Sequence, residues 1–539
     1  MGARFILIIA VFSLLYGGLA VRFYEVQVKK GSTFASAAEN RFKTLFPARG
    51  GIFVTDKRGI DIPVAIKKEY PYVYCIPQEI AKSGVDIKES AAKLSELLGI
   101  SEEEITAKMS KANDPHEDLT KAIPEDMVAK VEDLKIAGVK IGKLSKRFYP
   151  YETLAAHILG FVSREDDKGK YGLESFYEDT LSGKAGEAEG DRFIAPLDGQ
   201  DIKLTIDQNI QARAERILED AVSKYKAKRG VVIVMEPKTG AVLAMAGAPS
   251  FDPNKYGESD FDKFLNYSVQ ALYEPGSVFK LVTMASAIDS GKVTPTTSYT
   301  DTGYITVNGK TIRNWDHLAH GRLTMTEVIE QSINTGSAFA ERTMGHDLFK
   351  SYVDKFGFNN KTGIDLPGEM IGDTRNLNKG AEINYVTASY GQGISVTPIR
   401  MLSAVNAIAN NGIMMKPHLL RKASEEIANP ISADTAKKMT DIMVSAVVKN
   451  KLAAVEGYSV AGKTGTAFVP EHGVYTDKVI NTYVGFAPAY DPKFSILIRI
   501  DEPEGSPLAG QSVVPAFREL TDFMLAYFNL PPDKIESAR

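Results

Sequence analysis

An uncharged apolar run opens the chain: residues 5–21 read "FILIIAVFSLLYGGLAV", with an arginine on each side. A helix that crosses a membrane needs roughly 17–25 predominantly apolar residues. The pattern therefore predicts that residues 1–22 form a short cytoplasmic tip and a transmembrane anchor. A cleavable signal peptide is the alternative, because Gly18 and Ala20 are small residues at a suitable spacing for cleavage.

Residues 23–195 alternate short apolar strands with charged stretches. The segment "ESAAKLSELLGISEEEITAKMSK" (89–111) has helical spacing interrupted by a glycine, and its acidic residues are typical of the first turn of a helix. "EDMVAKVEDLKIAGVKI" (125–141) predicts a further helix followed by a strand. The polar, turn-rich stretches "DKGKYG" (167–172) and "LSGKAGEAEGD" (181–191) predict a linker.

A different pattern begins near Asp201. Alternation in "DIKLTID" (201–207) predicts a strand, and the eighteen positions that follow it have helical spacing. Two apolar runs on either side of "KTG" (238–240) predict a pair of strands joined by a tight turn. Helical patterns at 400–410 and 433–448 precede three further strands at 458–468, 480–489 and 493–500. Strands grouped in this way, with helices elsewhere, predict an α+β fold built on an antiparallel sheet.

Composition narrows the class of protein. A chain of 539 residues predicts two or three domains, and a formal net charge of −4 argues against a nucleic-acid-binding protein. The single cysteine, Cys75, excludes an intrachain disulfide and a Cys-x-x-Cys zinc site, and its apolar neighbours predict a buried strand residue. The seven histidines form no His-Glu-x-x-His pattern, so no metal centre is predicted. We also expect no cofactor.

A serine and a lysine stand three positions apart in "YEPGSVFK" (273–280). If a helix follows Pro275, Ser277 and Lys280 share one face of it. Serine is a weak nucleophile until a base takes its proton. A lysine is such a base only when burial or a nearby cation lowers its pKa. The pair alone therefore fits both an ordinary helix start and a nucleophile with its base.

Two further motifs would complete a site around that pair. "QSINTGSAF" (331–339) supplies Ser332, which could relay a proton, and Asn334, which could hold a substrate amide. "AGKTGTA" (461–467) lies on a predicted strand. Its lysine and hydroxyl groups would bind a carboxylate, its glycine would let a substrate backbone come close, and a backbone N–H would enter an oxyanion hole. The residues concerned are Lys463, Thr464, Gly465 and Thr466.

The Lys-Thr-Gly triplet is common, and this chain contains it three times, beginning at Lys238, Lys361 and Lys463. The first falls in the predicted hairpin turn and the second in a predicted loop. Only the third follows an alternating stretch and is followed by another threonine. The third triplet is therefore the candidate for a functional motif. The evidence for it is that it follows the other two motifs, in this order, along the chain.

In this order the three motifs resemble those of the penicillin-binding transpeptidases. Further resemblance lies in "EPKTGAVLAMAGAPSFDPN" (236–254), "TGIDLPGE" (362–369) and "YGQGISVTPIRMLSAVNAIANNG" (390–412). "RFYPYETLAAHILGFV" (147–162) and "YGLESFYEDTLSGKAG" (171–186) resemble the non-catalytic domain of the class B, monofunctional members. The resemblance covers most of residues 40–520. "YEPGSVFK" (273–280) and "TGIDLPGE" (362–369) are slightly more similar to the division-specific branch than to the elongation branch.

The resemblance implies an organisation: an anchor at 1–22, an elongated, non-catalytic, dimerisation-like α+β domain at 23–195, and a transpeptidase domain at 196–539 with helices flanking an antiparallel sheet. It also implies roles. Ser277 is the nucleophile, Lys280 its base, and Ser332 and Asn334 complete the catalytic group. Lys463, Thr464, Gly465 and Thr466 are expected to bind substrate.

The implied function is a peptidoglycan D,D-transpeptidase that acylates its serine with a D-Ala-D-Ala stem peptide, is blocked by β-lactams, and serves septal wall synthesis. It would be a single-pass protein of the cell membrane with an extracytoplasmic catalytic domain. Expected partners are a membrane-embedded glycan polymerase and other division or elongation proteins. The rivals are an elongation-specific transpeptidase, a D,D-carboxypeptidase or β-lactam hydrolase, and an inactive scaffold or β-lactam sensor.

Two sequence features oppose hydrolysis. Ile333 stands in the middle of the second motif, where a class A β-lactamase has aspartate, and no convincing Glu-x-x-Leu-Asn segment is present. Glu274 precedes the nucleophile by three residues, and we expect it to point away from Ser277.

The one tryptophan, Trp315, is interpreted as a partly buried packing residue, with a place in the cleft wall as the alternative.

Overall fold

The computed structural model describes residues 16–17, 24, 42–45, 47–111, 113–189, 192–471, 474–505 and 508–534. The predicted anchor lies outside these residues, apart from positions 16 and 17. Within the described part of the chain, no helix combines the length and the apolar character that crossing a membrane requires.

The chain separates into two compact units. One takes in the residues up to Gly50 together with Asp179–Asp201. Its described strands Phe42–Leu45, Gly186–Glu189 and Arg192–Ile194 form an antiparallel sheet with Gly186–Glu189 in the middle. The interpretation of residues 181–191 as a linker was wrong, because backbone pairing converts part of this polar stretch into a strand.

The second unit comprises Gly51–Glu178 and Ile202–Arg539. Its amino-terminal part contains a long strand, Asp61–Cys75, that pairs with Ile52–Thr55 and Val139–Phe148. Ile202–Asp207 adds to the same sheet, parallel to Ile52–Thr55. The domain limits at residues 22 and 195 stay a prediction.

Four helices and a short strand accompany this sheet: Pro77–Ser83, Ile87–Leu98, Glu102–Met109, Glu125–Asp133 and Glu117–Asp118. The predicted glycine break is confirmed, since Gly99 ends one helix with φ 68°, and the Ser101 hydroxyl accepts a hydrogen bond from Glu104 N at the start of the next. Cys75 is fully buried in the core between helices and sheet, as predicted. The small elements between this core and residue 182 are the helices Ala156–Leu159, Gly172–Phe176 and Glu178–Leu181 and the strands Phe161–Val162 and Gly169–Lys170.

The rest of the second unit is organised around an antiparallel sheet. Among the described residues its strands are β1 (Arg229–Met235), β2 (Val242–Ala248), β3 (Ala461–Glu471), β4 (Val474–Ala487) and β5 (Phe494–Asp501). They lie in the order β2-β1-β5-β4-β3. Every residue of β5 is buried, including Ser495, Arg499 and Asp501, so both faces of this strand are covered. The α+β fold with an antiparallel sheet is confirmed.

Helices cover the sheet. α1 (Gln208–Lys224) and the carboxy-terminal helix Val514–Tyr527 pack against one face in a shared apolar core. The helices that carry the first and second motifs are α2 (Lys280–Asp289) and α3 (Asn334–Met344), respectively. The remaining helices are Met325–Glu330, His346–Lys355, Glu382–Ala388, Pro398–Ala409, Ala433–Asn450 and Ala509–Ser512. Short 3-10 helices occupy Pro253–Glu258, Phe261–Phe264, Gly276–Phe279 and Arg375–Asn378, and short strand pairs join Ser298–Asp301 with Gly321–Thr324, Tyr304–Val307 with Lys310–Arg313, and Met414–Met415 with Glu426–Ala428.

Candidate active site

The turn that carries Ser277 is tightly built. Gly276–Phe279 form a 3-10 helix that continues directly into α2, whose first residue is Lys280. Gly276 has φ 57° and donates its N–H to the carbonyl of Gly391 at 3.1 Å. A Cβ atom on Gly391, itself at φ 82°, would lie 2.2 Å from the Gly276 carbonyl oxygen. Glycine is therefore required at position 391 by the close approach of two backbones and favoured at position 276 by the positive φ.

Lys280 is fully buried while Ser277 is half-buried. The Nζ atom of Lys280 lies 2.6 Å from the Ser332 carbonyl oxygen and 2.8 Å from Asn334 Oδ1. Within the described residues its ammonium makes hydrogen bonds to the second motif and not to Ser277. The structure thus brings the first two motifs together through the lysine.

Ser332 has an uncommon backbone conformation, with φ 59°. A non-glycine residue in this region is strained and is held there by its surroundings. Here Ser332 presents its carbonyl oxygen to Lys280 and its Oγ to Lys463 Nζ at 2.9 Å. The strained turn is what allows one serine to bridge the lysines of the first and third motifs.

The third motif lies on β3, at the edge of the sheet. Lys463 is buried and Thr464 lies beside it, with Lys463 Nζ 3.3 Å from Thr464 Oγ1. A Cβ on Gly465 would lie 2.7 Å from Val278 Cγ2 and 3.0 Å from the Pro275 carbonyl oxygen. Gly465 therefore has a role inside the protein, since it lets the turn that carries Ser277 pack directly against the edge strand.

Thr466 follows on the same strand. Its hydroxyl contacts Asn481 Oδ1 at 3.1 Å and accepts a hydrogen bond from Ala509 N at 3.3 Å. Alternate N–H groups of an edge strand have no partner strand, which is the condition that an oxyanion-hole donor must meet. The assignment of the Thr466 N–H to that hole stays a prediction.

Burial alters the pKa of both lysines. Desolvation, with a smaller contribution from the charge of Lys463, holds the pKa of Lys280 well below its usual value. Desolvation alone lowers the pKa of Lys463 to about 7. Among the described residues neither ammonium lies within ion-pair distance of a carboxylate. Two neighbouring cations in an enclosed site are the arrangement that frees one amine to act as a base.

The amide of Asn334 is fixed from both sides. Its Oδ1 accepts from Lys280, and its Nδ2 donates to the Arg313 carbonyl oxygen at 2.9 Å. An amide NH₂ carries two hydrogens, so one remains for a substrate carbonyl.

Trp315 lies close to the second motif. Its indole Nε1 donates to the Gln331 carbonyl oxygen at 3.0 Å, and 56% of the residue is exposed. The interpretation of Trp315 as a partly buried packing residue was wrong. A hydrogen bond holds the exposed ring beside the residue that precedes Ser332.

Glu274 is engaged by its own neighbours. Its Oε1 accepts the Gly393 N–H at 2.9 Å and its Oε2 lies 3.1 Å from the Tyr475 hydroxyl. Burial raises the pKa of the carboxyl, and these two hydrogen bonds partly offset that effect. The orientation of Glu274 relative to Ser277 stays a prediction.

The two other Lys-Thr-Gly triplets lie away from these contacts. Lys238 is in the turn between β1 and β2, paired with Asp491 at 2.7 Å. Lys361 is exposed, and the Thr362 and Gly363 N–H groups that follow it donate to Glu369. The triplet at Lys238 lies in a turn and the triplet at Lys361 lies in a loop, as predicted.

Several residues near the site were not singled out by sequence. The carbonyl groups of Arg313 and Gln331 act through backbone atoms, which leave no side-chain signature. Gly391 and Gly393 could have been found from the sequence, because two glycines one residue apart in "YGQGIS" are typical of a turn. In the structure both have positive φ.

Comparison with known proteins agrees with this geometry. The family model of the penicillin-binding protein transpeptidase domain matches residues 230–522 of this chain. The family model of the penicillin-binding protein dimerisation domain matches residues 44–191. The chain belongs to the penicillin-binding protein transpeptidases, as a class B member of the division type. The family resemblance predicted from the motifs is confirmed.

Named relatives cover nearly the whole chain. Stage V sporulation protein D of Bacillus subtilis is 32% identical, over 93% of this chain and 83% of that protein. Peptidoglycan D,D-transpeptidase FtsI of Escherichia coli is 28% identical, over 92% of this chain and 86% of that protein. Among solved structures, penicillin-binding protein 2X of Streptococcus thermophilus has the same fold, with a TM-score of 0.76 at 24% identity over 91% of this chain and 81% of that one.

Proposed function

We propose that this protein is a peptidoglycan D,D-transpeptidase that uses Ser277 as its nucleophile. The observation that carries the proposal is the state of Lys280. A fully buried ammonium without a carboxylate partner among the described residues, next to a second buried lysine, favours the neutral amine that a serine needs as its base. Relatives named peptidoglycan D,D-transpeptidases support the choice of substrate.

In the first half-reaction, Ser277 Oγ attacks the carbonyl carbon of the penultimate D-alanine of a stem peptide. Lys280 takes the serine proton as the C–O bond forms. The peptide C–N bond then breaks, and the departing D-alanine amine receives a proton through the Lys280–Ser332–Lys463 chain. The product is an ester between Ser277 and the shortened stem.

In the second half-reaction, an amine from a neighbouring stem attacks the ester carbonyl. The amine loses a proton to Lys280, the ester C–O bond breaks, and Ser277 recovers its proton. The new amide bond is the cross-link. Lys463, Thr464 and Thr466 would bind the terminal carboxylate of the stem, and Asn334 its amide.

A fluorescent penicillin tests the proposal, because its strained amide takes the place of the D-Ala-D-Ala bond. We expect mass mapping to find the label on Ser277, and Ser277→Ala to remove labelling. Ser290→Ala is the matched control, since Ser290 directly follows α2 and, among the described residues, its hydroxyl donates only to the Ala287 carbonyl. A label on another residue would refute the assignment.

The remaining parts of the proposal concern location and organisation. We propose a single-pass anchor in residues 1–22, a non-catalytic domain in 23–195 and a transpeptidase domain in 196–539 on the outer side of the cell membrane. The match to the dimerisation domain supports the second of these. A role in septal wall synthesis, beside a membrane-embedded glycan polymerase, is proposed from the division-type relatives.

Fractionation of cells that produce the full-length chain tests the anchor. We expect the protein in the membrane fraction with residues 1–22 retained. Amino-terminal sequencing that begins near Val21 would instead establish a cleaved signal peptide.

A further inference from the structure

A buried carboxylate lies behind the second motif. Asp301 is 2% exposed. Its Oδ1 accepts hydrogen bonds from Gly303 N at 3.0 Å and Thr335 Oγ1 at 2.6 Å. Its Oδ2 accepts from Asn314 Nδ2 at 2.8 Å and His320 N at 2.9 Å. Burial alone would raise the pKa of Asp301, but these four hydrogen bonds outweigh it and hold the pKa below its usual value.

The donors join two separate parts of the site. Thr335 is the second residue of α3 and directly follows Asn334. Asn314 belongs to the loop that precedes the second motif, and both side chains are buried. They also contact each other, because Thr335 N donates to Asn314 Oδ1 at 3.2 Å. The three residues form a closed network that fastens the loop to the start of α3.

Each end of the network continues into the site. Arg313, next to Asn314, offers the carbonyl oxygen that holds Asn334 Nδ2 and so turns Asn334 Oδ1 toward Lys280. Trp315, on the other side of Asn314, donates to the Gln331 carbonyl one residue before Ser332. A shift of Asn314 would therefore move the partners of Lys280.

Only an acceptor fits at position 301. Both of its oxygens face two donors each, and a carboxylate is an acceptor without hydrogens of its own. An asparagine has the same shape, but in either orientation its NH₂ would face at least one N–H donor, Gly303 N or the pair of Asn314 Nδ2 and His320 N, and would leave it unsatisfied. Buried donors without a partner are costly, so the network would rearrange.

We propose that Asp301 is a positioning residue for the acylation step, acting through Thr335 and Asn314 on Asn334 and the Trp315 loop. The catalytic part of this inference rests on the proposed function. In this role Asp301 touches neither the substrate nor Ser277. Its effect reaches the chemistry through the hydrogen bond between Asn334 and Lys280.

Stopped-flow acylation with a fluorescent penicillin tests the kinetic side, because it separates the limiting rate from the half-saturation concentration. We expect Asp301→Asn to lower the limiting rate about 10–100-fold, as small displacements of a catalytic group do, with less change in half-saturation. Asp316→Asn is the control. It removes a charge from the loop that contains Asn314, and the Asp316 carboxylate contacts Leu318 N and the His320 ring rather than α3.

Thr335 gives a second pair of variants that does not alter the buried charge. Thr335→Val keeps the shape and removes the hydroxyl donor, and we expect it to slow acylation. Thr335→Ser keeps the donor and should restore a nearly normal rate. Unchanged limiting rates in Asp301→Asn and Thr335→Val, or a change confined to half-saturation, would overturn the inference.

The single tryptophan supplies a measurement that needs no activity. If the network holds the loop, Asp301→Asn and Thr335→Val should increase the quenching of Trp315 fluorescence by acrylamide, whereas Asp316→Asn and Thr335→Ser should not. A wild-type protein that penicillin does not acylate would refute the proposed function. Normal Trp315 quenching in both disruptive variants, with the wild type labelled at Ser277, would refute the positioning role alone.

Discussion

Lys280 and Lys463 donate to the same residue: Lys280 Nζ lies 2.6 Å from the carbonyl oxygen of Ser332, and Lys463 Nζ lies 2.9 Å from its hydroxyl oxygen. Both amines are buried, and the charge of Lys463 contributes to the lowered pKa of Lys280. The relationship connects the proposed base of the first motif to the lysine of the third motif that we propose to bind the carboxylate.

The two lysines should differ in the kinetic constant that they control. We expect Lys280→Ala to lower the limiting rate of penicillin acylation by roughly 10²–10⁴-fold, the usual contribution of one positioned base. Lys463→Ala should also raise the concentration of penicillin needed for half-saturation, because it removes a charge that binds the carboxylate. Equal effects of both variants on both constants would contradict this division of roles.

The pH dependence of acylation should respond to the charge at position 463. Lys280 must be neutral to accept a proton, so its lowered pKa predicts an acid limb well below the range of an ordinary lysine. Lys463 disfavours the charged form of Lys280, and its removal therefore raises the pKa of Lys280. We expect the acid limb of the limiting rate to move to higher pH in Lys463→Ala.

Lys463→Arg is the matched control for that experiment, because it keeps a positive charge beside Lys280. Its acid limb should not move upward. A limb that shifts upward equally in both variants would show that the charge of Lys463 has no part in setting the pKa of Lys280.

Gly465→Ala should impair acylation through packing. The added Cβ would lie 2.7 Å from Val278 Cγ2 and 3.0 Å from the Pro275 carbonyl oxygen, so the turn that carries Ser277 would have to move away from β3. A displacement of this kind typically costs about 10²-fold in rate. Gly257→Ala serves as the control, because nothing lies within 4 Å of its added Cβ. A normal acylation rate in Gly465→Ala would show that the turn tolerates the shift.

The penicilloyl ester should be long-lived in water. Ile333, the middle residue of the second motif, is fully buried and carries no polar group, and the Glu274 carboxylate is held by Gly393 and Tyr475. Neither offers a free base for a hydrolytic water. The release rate of bound fluorescent penicillin checks this, and turnover within seconds in the absence of an added amine would identify a hydrolase.

Much of the fold follows from local pattern. The helix break at Gly99, the strand ending at Cys75 and the strands of the central sheet each have a signature that a few neighbouring residues define. The two wrong predictions have causes that lie outside the local sequence. Residues 186–189 look like a polar linker, yet pairing with a distant strand makes them the middle of a sheet. Trp315 looks like a packing residue, yet a hydrogen bond to Gln331 holds it in an exposed position.

The sequence by itself determined the class of protein and the residues of the three motifs, because the order and spacing of Ser277, Ser332 and Lys463 with their neighbours are specific in combination. Only the tertiary structure decided how those residues act on one another. The positive φ of Ser332, the burial of Lys280 and the four donors around Asp301 arise from contacts between separate segments of the chain. The pKa of a side chain and the strain of a turn are set by such contacts, and local sequence does not encode them.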